Sequence, residues 1–258
     1  MIVFASDAAG EVGAALARER GPDGVCVVLG GDGTMLRAIA RHGPALVYLG
    51  VNFGRLGFLM NDRAAIARGA GAPDDAPLHA ELIAGVVRAG AWHATAFPRL
   101  SMEAVDGDGA QHTARALNDV YVERERGQTC HLRITVDGVE VVERMVCDGV
   151  IVATALGSTA YSVSAGGPAA HPLLHALHLT AICPHSPRLP PLVLPETSVV
   201  AVEVLDAEGR PARAVVDGSQ TGDVRRVVVR GGADSVRIAF LDGHDFVGTM
   251  VRKVLRGS

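Results

Sequence analysis

Apolar and polar positions follow two different rhythms along this chain. Over the first sixty residues, short apolar runs alternate with amphipathic stretches at helical spacing. Met1 to Ala5 reads as a strand, and Gly10 to Arg20 as a helix with Val12, Ala15 and Leu16 along one side. Val25 to Leu29 is a second strand, Thr34 to Arg41 a helix and Ala45 to Gly50 a third strand. Such alternation predicts an α/β domain, a parallel sheet with helices on its faces and right-handed crossovers. Ligands of such sheets sit beyond the carboxyl ends of the strands.

The rhythm changes near Phe97 to Ser101. A helix from Leu78 to Val87 precedes the change, and residues 68–77 read as a flexible segment. Beyond it, Leu100 to Val105, Ala114 to Glu123 and Leu132 to Val136 are strand-like, and Asp137-Gly138 turns the chain tightly into Val139 to Met145. Val199 to Leu205, Ala212 to Val216, Arg226 to Val229 and Ser235 to Phe240 continue the pattern, with a second turn signal at Asp217-Gly218. One helix, Ala165 to Leu177, is expected to interrupt it, with Pro168 and Pro172 blurring its ends. The division predicted is 1–97 as the α/β domain, 98–240 as a mainly β domain, and 241–258 as an amphipathic tail returning to the first domain. No internal repeat is evident.

Composition narrows the class. The 258 residues are 48% hydrophobic and 20% charged, enough for substantial cores. The net charge of −4 argues against a nucleic-acid surface, and Arg124, Arg126, Arg225, Arg226 and Arg230 fit solvated strand faces better than a binding stripe. No apolar run is long enough to span a bilayer. The opening Met1-Ile2-Val3-Phe4-Ala5 lacks a basic lead and reads as a strand, so a cytoplasmic protein is expected. Cys26, Cys130, Cys147 and Cys183 are not at metal-site spacing, and Cys183-Pro184-His185 has no second ligand pair nearby. A disulfide framework is not expected.

The first candidate for chemistry is Leu29-Gly30-Gly31-Asp32-Gly33-Thr34, where an apolar strand stops in three glycines around one carboxylate. Glycines there allow positive φ and close backbone approach, backbone N–H groups suit phosphate, and a carboxylate suits a proton or a metal ion. The pairing points to phosphoryl transfer. The dinucleotide fingerprint is broken by Leu36, and no lysine completes a Walker A loop. The plain alternative is a tight strand–helix turn with Thr34 as N-cap and Asp32 bonded locally.

Three further clusters add context. Asn52-Phe53-Gly54-Arg55-Leu56-Gly57-Phe58-Leu59 follows the next strand, so two glycine-rich loops can face one crevice. Asn118-Asp119 interrupts a β-like run, and a carboxylate beside an amide suits a ribose diol and an adenine edge. Asp148 to Pro168 crowds hydroxyls at Thr154, Ser158, Thr159, Tyr161, Ser162 and Ser164 among small residues. Gly157-Ser158-Thr159 is not a nucleophile elbow, so a serine hydrolase ranks low.

Together these segments resemble the NAD kinase family: GGDGT at 30–34, NFGRLGFL at 52–59, LNDV at 117–120, DGVIVATALGSTAYSVSAGGP at 148–168, ICPHS at 182–186 and Asp217-Gly218. GGDGT alone is shared with diacylglycerol and sphingosine kinases; the later segments are far more specific. The resemblance implies an α/β domain and a β-rich domain with the active site between them. It implies transfer of the terminal phosphoryl of ATP, or of polyphosphate, to the 2′-hydroxyl of the NAD adenosine ribose, with a divalent ion such as Mg²⁺. A homodimer or homotetramer is implied, with no nucleic-acid or membrane partner.

By position, the resemblance makes Asp32 the catalytic carboxylate and brings Gly31, Gly33 and Thr34 to the phosphates. Asn52 and Phe53 fall at the mouth near the diphosphate and adenine. Asn118 contacts the adenosine, Asp119 its ribose, and Asp148 the nicotinamide riboside. Thr159, Ala160, Tyr161 and Ser164 line the adenosine side. Thr154-Ala155-Leu156 replaces the family's commoner Thr-Pro-Thr, which is expected to loosen that loop or alter donor choice. Asp119 replaces the commoner Glu. The rival functions are a lipid kinase sharing the glycine loop and a non-catalytic NAD sensor.

Overall fold

The computed structural model describes residues 1–54, 57–66 and 76–255. It divides into two compact units, Met1–Phe97 with Val236–Ser258, and Pro98–Ser235. The early part of the chain runs β1 (Ile2–Ala5), α1 (Gly10–Leu16), β2 (Val25–Gly30), α2 (Asp32–His42), β3 (Val47–Asn52), α3 (Arg63–Ile66), α4 (Ala76–Ala89) and β4 (Trp92–Pro98). The middle runs β5 (Leu100–Asp106), β6 (Gln111–Ala116), β7 (Asp119–Arg124), β8 (Cys130–Val136), β9 (Val139–Cys147), β10 (Gly149–Thr154), α5 (Tyr161–Ser164), β11 (Ala176–Ile182), β12 (Leu192–Pro195), β13 (Val199–Leu205), β14 (Ala212–Val216) and β15 (Ser219–Arg230). β16 (Ser235–Leu241), α6 (Phe246–Met250) and a π-helical turn, Val251–Leu255, complete it.

In the first unit the sheet order is β1-β2-β3-β16-β4, with β1, β2, β3 and β16 paired in parallel. β2 is buried at every position, so Val25, Val27 and Leu29 face one core with Leu16, Ile83 and Val87 from the helices. That is why the strand reads as a continuous apolar run rather than an alternating one. The register places Gly30 of β2 opposite Asn52 of β3. Two glycine-rich loops therefore leave the same edge of the sheet side by side.

The second unit is one antiparallel sheet in the order β12-β11-β10-β7-β14-β15-β13-β8-β9, with β5 and β6 branching from β15. Its main core takes alternate residues, Val120 and Val122, Val150 and Val152, Val200 and Val202, while Ile151, Ala153 and Ile182 form a smaller cluster on the opposite face of β10 and β11. Asp137-Gly138 and Asp217-Gly218 both have φ > 0 at their two residues, the geometry of tight hairpins between right-twisted strands. Cys130 and Cys147 are register partners, buried as free thiols with their sulfurs 3.9 Å apart.

Three expectations are corrected here. Residues 165–177 form no helix: α5 ends at Ser164 and β11 begins at Ala176. Pro168 and Pro172 each lack a backbone donor and restrict the residue before them, which outweighs the alanines and leucines between. β16 does not continue the β-rich unit, which ends at Ser235 rather than at 240. Arg237, Ile238 and Ala239 pair with Val47, Tyr48 and Leu49 in the first unit. An apolar strand carries no mark of which sheet it joins. Finally, the run Ala114 to Glu123 is two strands, β6 on β5 and β7 between β10 and β14. Most of residues 68–77 lie outside the described residues.

Candidate active site

The glycine loop of the first unit is built by close packing. A Cβ on Gly30 would overlap the Thr34 side chain, so only glycine lets β2 run directly under α2. The helix starts earlier than its apolar spacing indicates: Gly31 is the N-cap, in extended geometry with φ −120° and ψ −174°, and Asp32 is the first helical residue. Thr34 is therefore not the cap. It is 5% exposed, and its Oγ1 accepts a bond from Arg37 at 3.2 Å. Nor do Gly30, Gly31 or Gly33 take positive φ. Their value is bare backbone: nothing lies within 4 Å of a Cβ on Gly31, and Gly33 is exposed.

Asp32 is held by the neighbouring loop. Phe58 N–H donates to Oδ2 at 2.9 Å and Leu59 N–H to Oδ1 at 3.0 Å. Gly57 is buried against the carboxylate, where a Cβ would overlap it. Lys253, in the π-helical turn, donates to Oδ2 at 2.9 Å and sits 4.8 Å from the Phe58 ring centre. The loop's near end is fixed to β2, since Phe53 N–H donates to the Gly30 carbonyl at 2.9 Å, while Asn52 Oδ1 accepts from Gly54 N–H at 3.1 Å. Its far end is fixed by Asn61, 2% exposed, whose amide donates to Gly50 and Ala239 carbonyls and accepts from Leu241 N–H. Arg55 and Leu56 lie outside the described residues.

In the second unit the Leu117-Asn118-Asp119 corner is gripped by Asp217. Its carboxylate accepts the N–H groups of Leu117, Asn118 and Asp119 at 2.7, 2.8 and 3.2 Å. Burial pushes Asp217 above the ordinary carboxylate range, and those three donors pull it back. Asp119 is 5% exposed, and among the described residues no donor reaches its carboxylate oxygens. Burial, reinforced by the Asp217 charge, pushes Asp119 up to about 7. The corner therefore presents a buried acceptor whose own hydrogen-bonding capacity is unspent among the described residues.

The stretch after β10 packs against this corner. Thr154 Oγ1 donates to the Leu117 carbonyl at 2.8 Å and accepts from Gly157 N–H at 3.0 Å. A Cβ on Gly157 would overlap the backbone of Asn118. Ala155 and Leu156 are buried at 3% and 4%. The hydroxyls mostly serve the protein: Ser158 donates to Ala155 and accepts from Ala170 N–H, Thr159 donates to Leu156, and Ser162 pairs with Thr180. Ala160 and Tyr161 are half-buried and Ser164 is exposed. Tyr161 packs edge-on against Tyr121 with ring centres 5.1 Å apart. Tyr161 and Asp148 line a cleft of about 360 Å³, in which Asp148 pairs with Arg124 at 2.8 Å.

Within the first unit, then, Gly31, Asp32, Gly33, Thr34, Asn52 and Phe53 come together at one sheet edge. Within the second, Asn118 and Asp119 adjoin the Thr154–Thr159 segment, and Asp148 and Tyr161 share the cleft. Reading the sequence missed Lys253 and Asn61, and gave Asp217 no role beyond a turn and one of the segments carrying the family resemblance. No local spacing ties Lys253 to Asp32 across 221 positions. Among the described residues no group of three or more His, Cys, Asp or Glu side chains is placed to hold a metal ion.

A parallel-sheet unit with a glycine–carboxylate loop, joined in sequence to an antiparallel β unit, defines a known class of nucleotide-handling fold. Two solved structures share it. An NAD kinase from Archaeoglobus fulgidus in complex with ATP aligns over the whole of both chains at 26% identity and TM-score 0.74. Yeast NADH kinase complexed with NADH aligns over 91% of this chain and 66% of its own at the same identity and TM-score. Residues 117–237 match the family described as ATP-NAD kinase C-terminal domain. The NAD kinase of Rickettsia bellii is 33% identical over 90% of this chain and 86% of its own length, and that of Caulobacter vibrioides 38% identical over 79% and 72%. The chain belongs to the NAD kinase family, enzymes that transfer a phosphoryl group to NAD to form NADP.

Proposed function

We propose that the chain phosphorylates the 2′-hydroxyl of the NAD adenosine ribose from ATP, with Asp32 orienting that hydroxyl and receiving its proton. The observation that carries this reading is the Asp32 carboxylate, fixed by Phe58 and Leu59 N–H at the start of a helix capped by Gly31 and continued by Gly33. Phosphoryl transfer depends on in-line positioning and charge stabilisation more than on a strong base. Gly31 and Gly33 let the α2 N-terminus approach phosphate oxygens, Thr34 fixes the loop beneath them, and Asn52 and Phe53 close its side.

The nucleoside is assigned to the second unit. Asp119, buried and without a donor among the described residues, accepts the hydroxyls of a ribose, and Asn118 reads the adenosine beside it. Thr159, Ala160, Tyr161 and Ser164 line the adenosine side, and Asp148 in its cleft takes the nicotinamide riboside. A divalent ion such as Mg²⁺ would accompany the donor and would stabilise the charge of its phosphates. Asp32, with three donors already on it, is left to the proton. A homo-oligomer working in the cytoplasm is the assembly we propose, checked by light scattering and fractionation. No helix among the described residues is long and apolar enough to cross a membrane.

The test is purified protein assayed for NADP and NADPH with NAD or NADH crossed against ATP or polyphosphate, and diacylglycerol as a parallel acceptor. NADP formation supports the reading. Phosphorylated lipid without NADP, or NAD binding with no product from either donor, overturns it.

A further inference from the structure

Lys253 is the single lysine of the chain; the other 23 of its 24 basic Lys and Arg residues are arginine. That one ammonium group lies 2.9 Å from Asp32 Oδ2, inside the same unit, and 4.8 Å from the Phe58 ring centre. The neighbouring cations are bonded elsewhere: Arg37 to Thr34, Arg252 to Thr249 and Arg63 over Phe53.

A carboxylate offers about four acceptor directions, two on each oxygen. On Asp32, among the described residues, Oδ2 takes both Phe58 N–H and Lys253, while Oδ1 takes only Leu59 N–H. The unfilled direction is therefore on Oδ1. A lysine is a point charge that grips one oxygen, whereas an arginine is a planar fork that tends to grip both. In a chain that otherwise uses arginine throughout, lysine at 253 leaves the second acceptor direction of Oδ1 without a donor among the described residues.

Resting on the assignment of Asp32 to the substrate hydroxyl, we infer that Lys253 is a positioning residue for phosphoryl transfer: by occupying Oδ2 it fixes the Asp32 carboxylate and reserves Oδ1 for the hydroxyl that reacts. The π-helical turn Val251–Leu255 is thus part of the reaction machinery and not only packing at the end of the chain.

The test compares Lys253→Ala, Lys253→Gln and Lys253→Arg with Asp32→Asn in the full-length protein, using kcat, the KM values for NAD and ATP, and thermal unfolding. Lys253→Ala is expected to lose on the order of 10²-fold in kcat, as for small misplacements of a catalytic group, with both KM values little changed. Added ethylammonium restores part of that kcat by refilling the Oδ2 position. Lys253→Arg, although it keeps the charge, stays well below the native rate because it covers Oδ1. If Lys253→Ala does not fold, Lys253→Gln carries the same kcat comparison. Native kcat in Lys253→Ala or Lys253→Gln, a loss that no amine restores, or a fully active Lys253→Arg overturns the inference. Native turnover in Asp32→Asn instead overturns the role of Asp32 itself, so the two failures are told apart.

Discussion

Gly57 occupies the space from which the loop behind Asp32 bonds its carboxylate: a Cβ at position 57 would overlap both Oδ1 and Cγ of Asp32. Gly57 has no positive φ to require glycine, so the constraint is close approach alone. Gly57→Ala must push the carboxylate away or withdraw Phe58 and Leu59 N–H from it. We expect kcat to fall on the order of 10²-fold with little change in the affinity for NAD. Steady-state kinetics with a separate binding titration checks this, and an unimpaired kcat would show that the Asp32 position is not critical.

Asp32→Asn is the complementary change. The amide keeps the size of the side chain but brings an NH₂ group where Phe58 N–H, Leu59 N–H and Lys253 all donate. It can neither take a proton nor satisfy every donor. NAD binding should persist, because the residues assigned to the nucleoside are in the other unit, while turnover falls by about 10²-fold or more. Calorimetric NAD binding beside a turnover assay separates the two effects.

Much of this arrangement was legible in the sequence, for a physical reason. A strand buried along its whole length that breaks into Gly30, Gly31 and Gly33 must leave bare backbone at the sheet edge, and Asn52 to Gly57 repeats the pattern one strand later. What was not legible depends on distance along the chain. Lys253 meets Asp32 and Asp217 meets Leu117 to Asp119 only after the strands between them are placed. The sheet chosen by β16 was hidden because Val236, Ile238 and Phe240 would be buried in either unit. The missing helix at 165–177 was a contest between alanine and proline that composition does not settle, and the start of α2 at Asp32 reflects packing of Thr34 on Gly30 rather than capping preference.

Ser158 tests the reading of the hydroxyl-rich stretch. Its Oγ is fully buried, donating to the Ala155 carbonyl at 2.6 Å and accepting from Ala170 N–H at 2.9 Å. Such a hydroxyl is structural. Ser158→Ala leaves Ala170 N–H without that partner and should cost about 1–3 kcal/mol of stability. kcat should stay near native at a temperature where the variant is folded. Urea unfolding and a turnover assay check both, and abolished turnover in a stable variant would make Ser158 a participant in the reaction.

Asp119 gives a dependence on pH with a definite sign. Burial, then the neighbouring Asp217 charge, lifts its carboxyl from an ordinary 3.8 to about 7 in the folded protein. Between roughly pH 4 and pH 7 the folded state therefore holds a proton that the unfolded chain has lost. Stability from this group is greatest below that window, falls as pH rises through it and is flat above, by up to about 4 kcal/mol for a gap of this size. Burial raises Asp217 as well. Asp119→Asn removes the titrating group, so its stability relative to the native protein should rise from pH 5 to pH 8 in urea unfolding. NAD provides the second measurement. Ribose hydroxyls donating to Asp119 favour its ionised form, so NAD binding near pH 7 should release a proton, read from calorimetry in buffers of different ionisation enthalpy. Asp119→Asn should bind NAD without that release; an equal release in the variant would place the titrating group elsewhere.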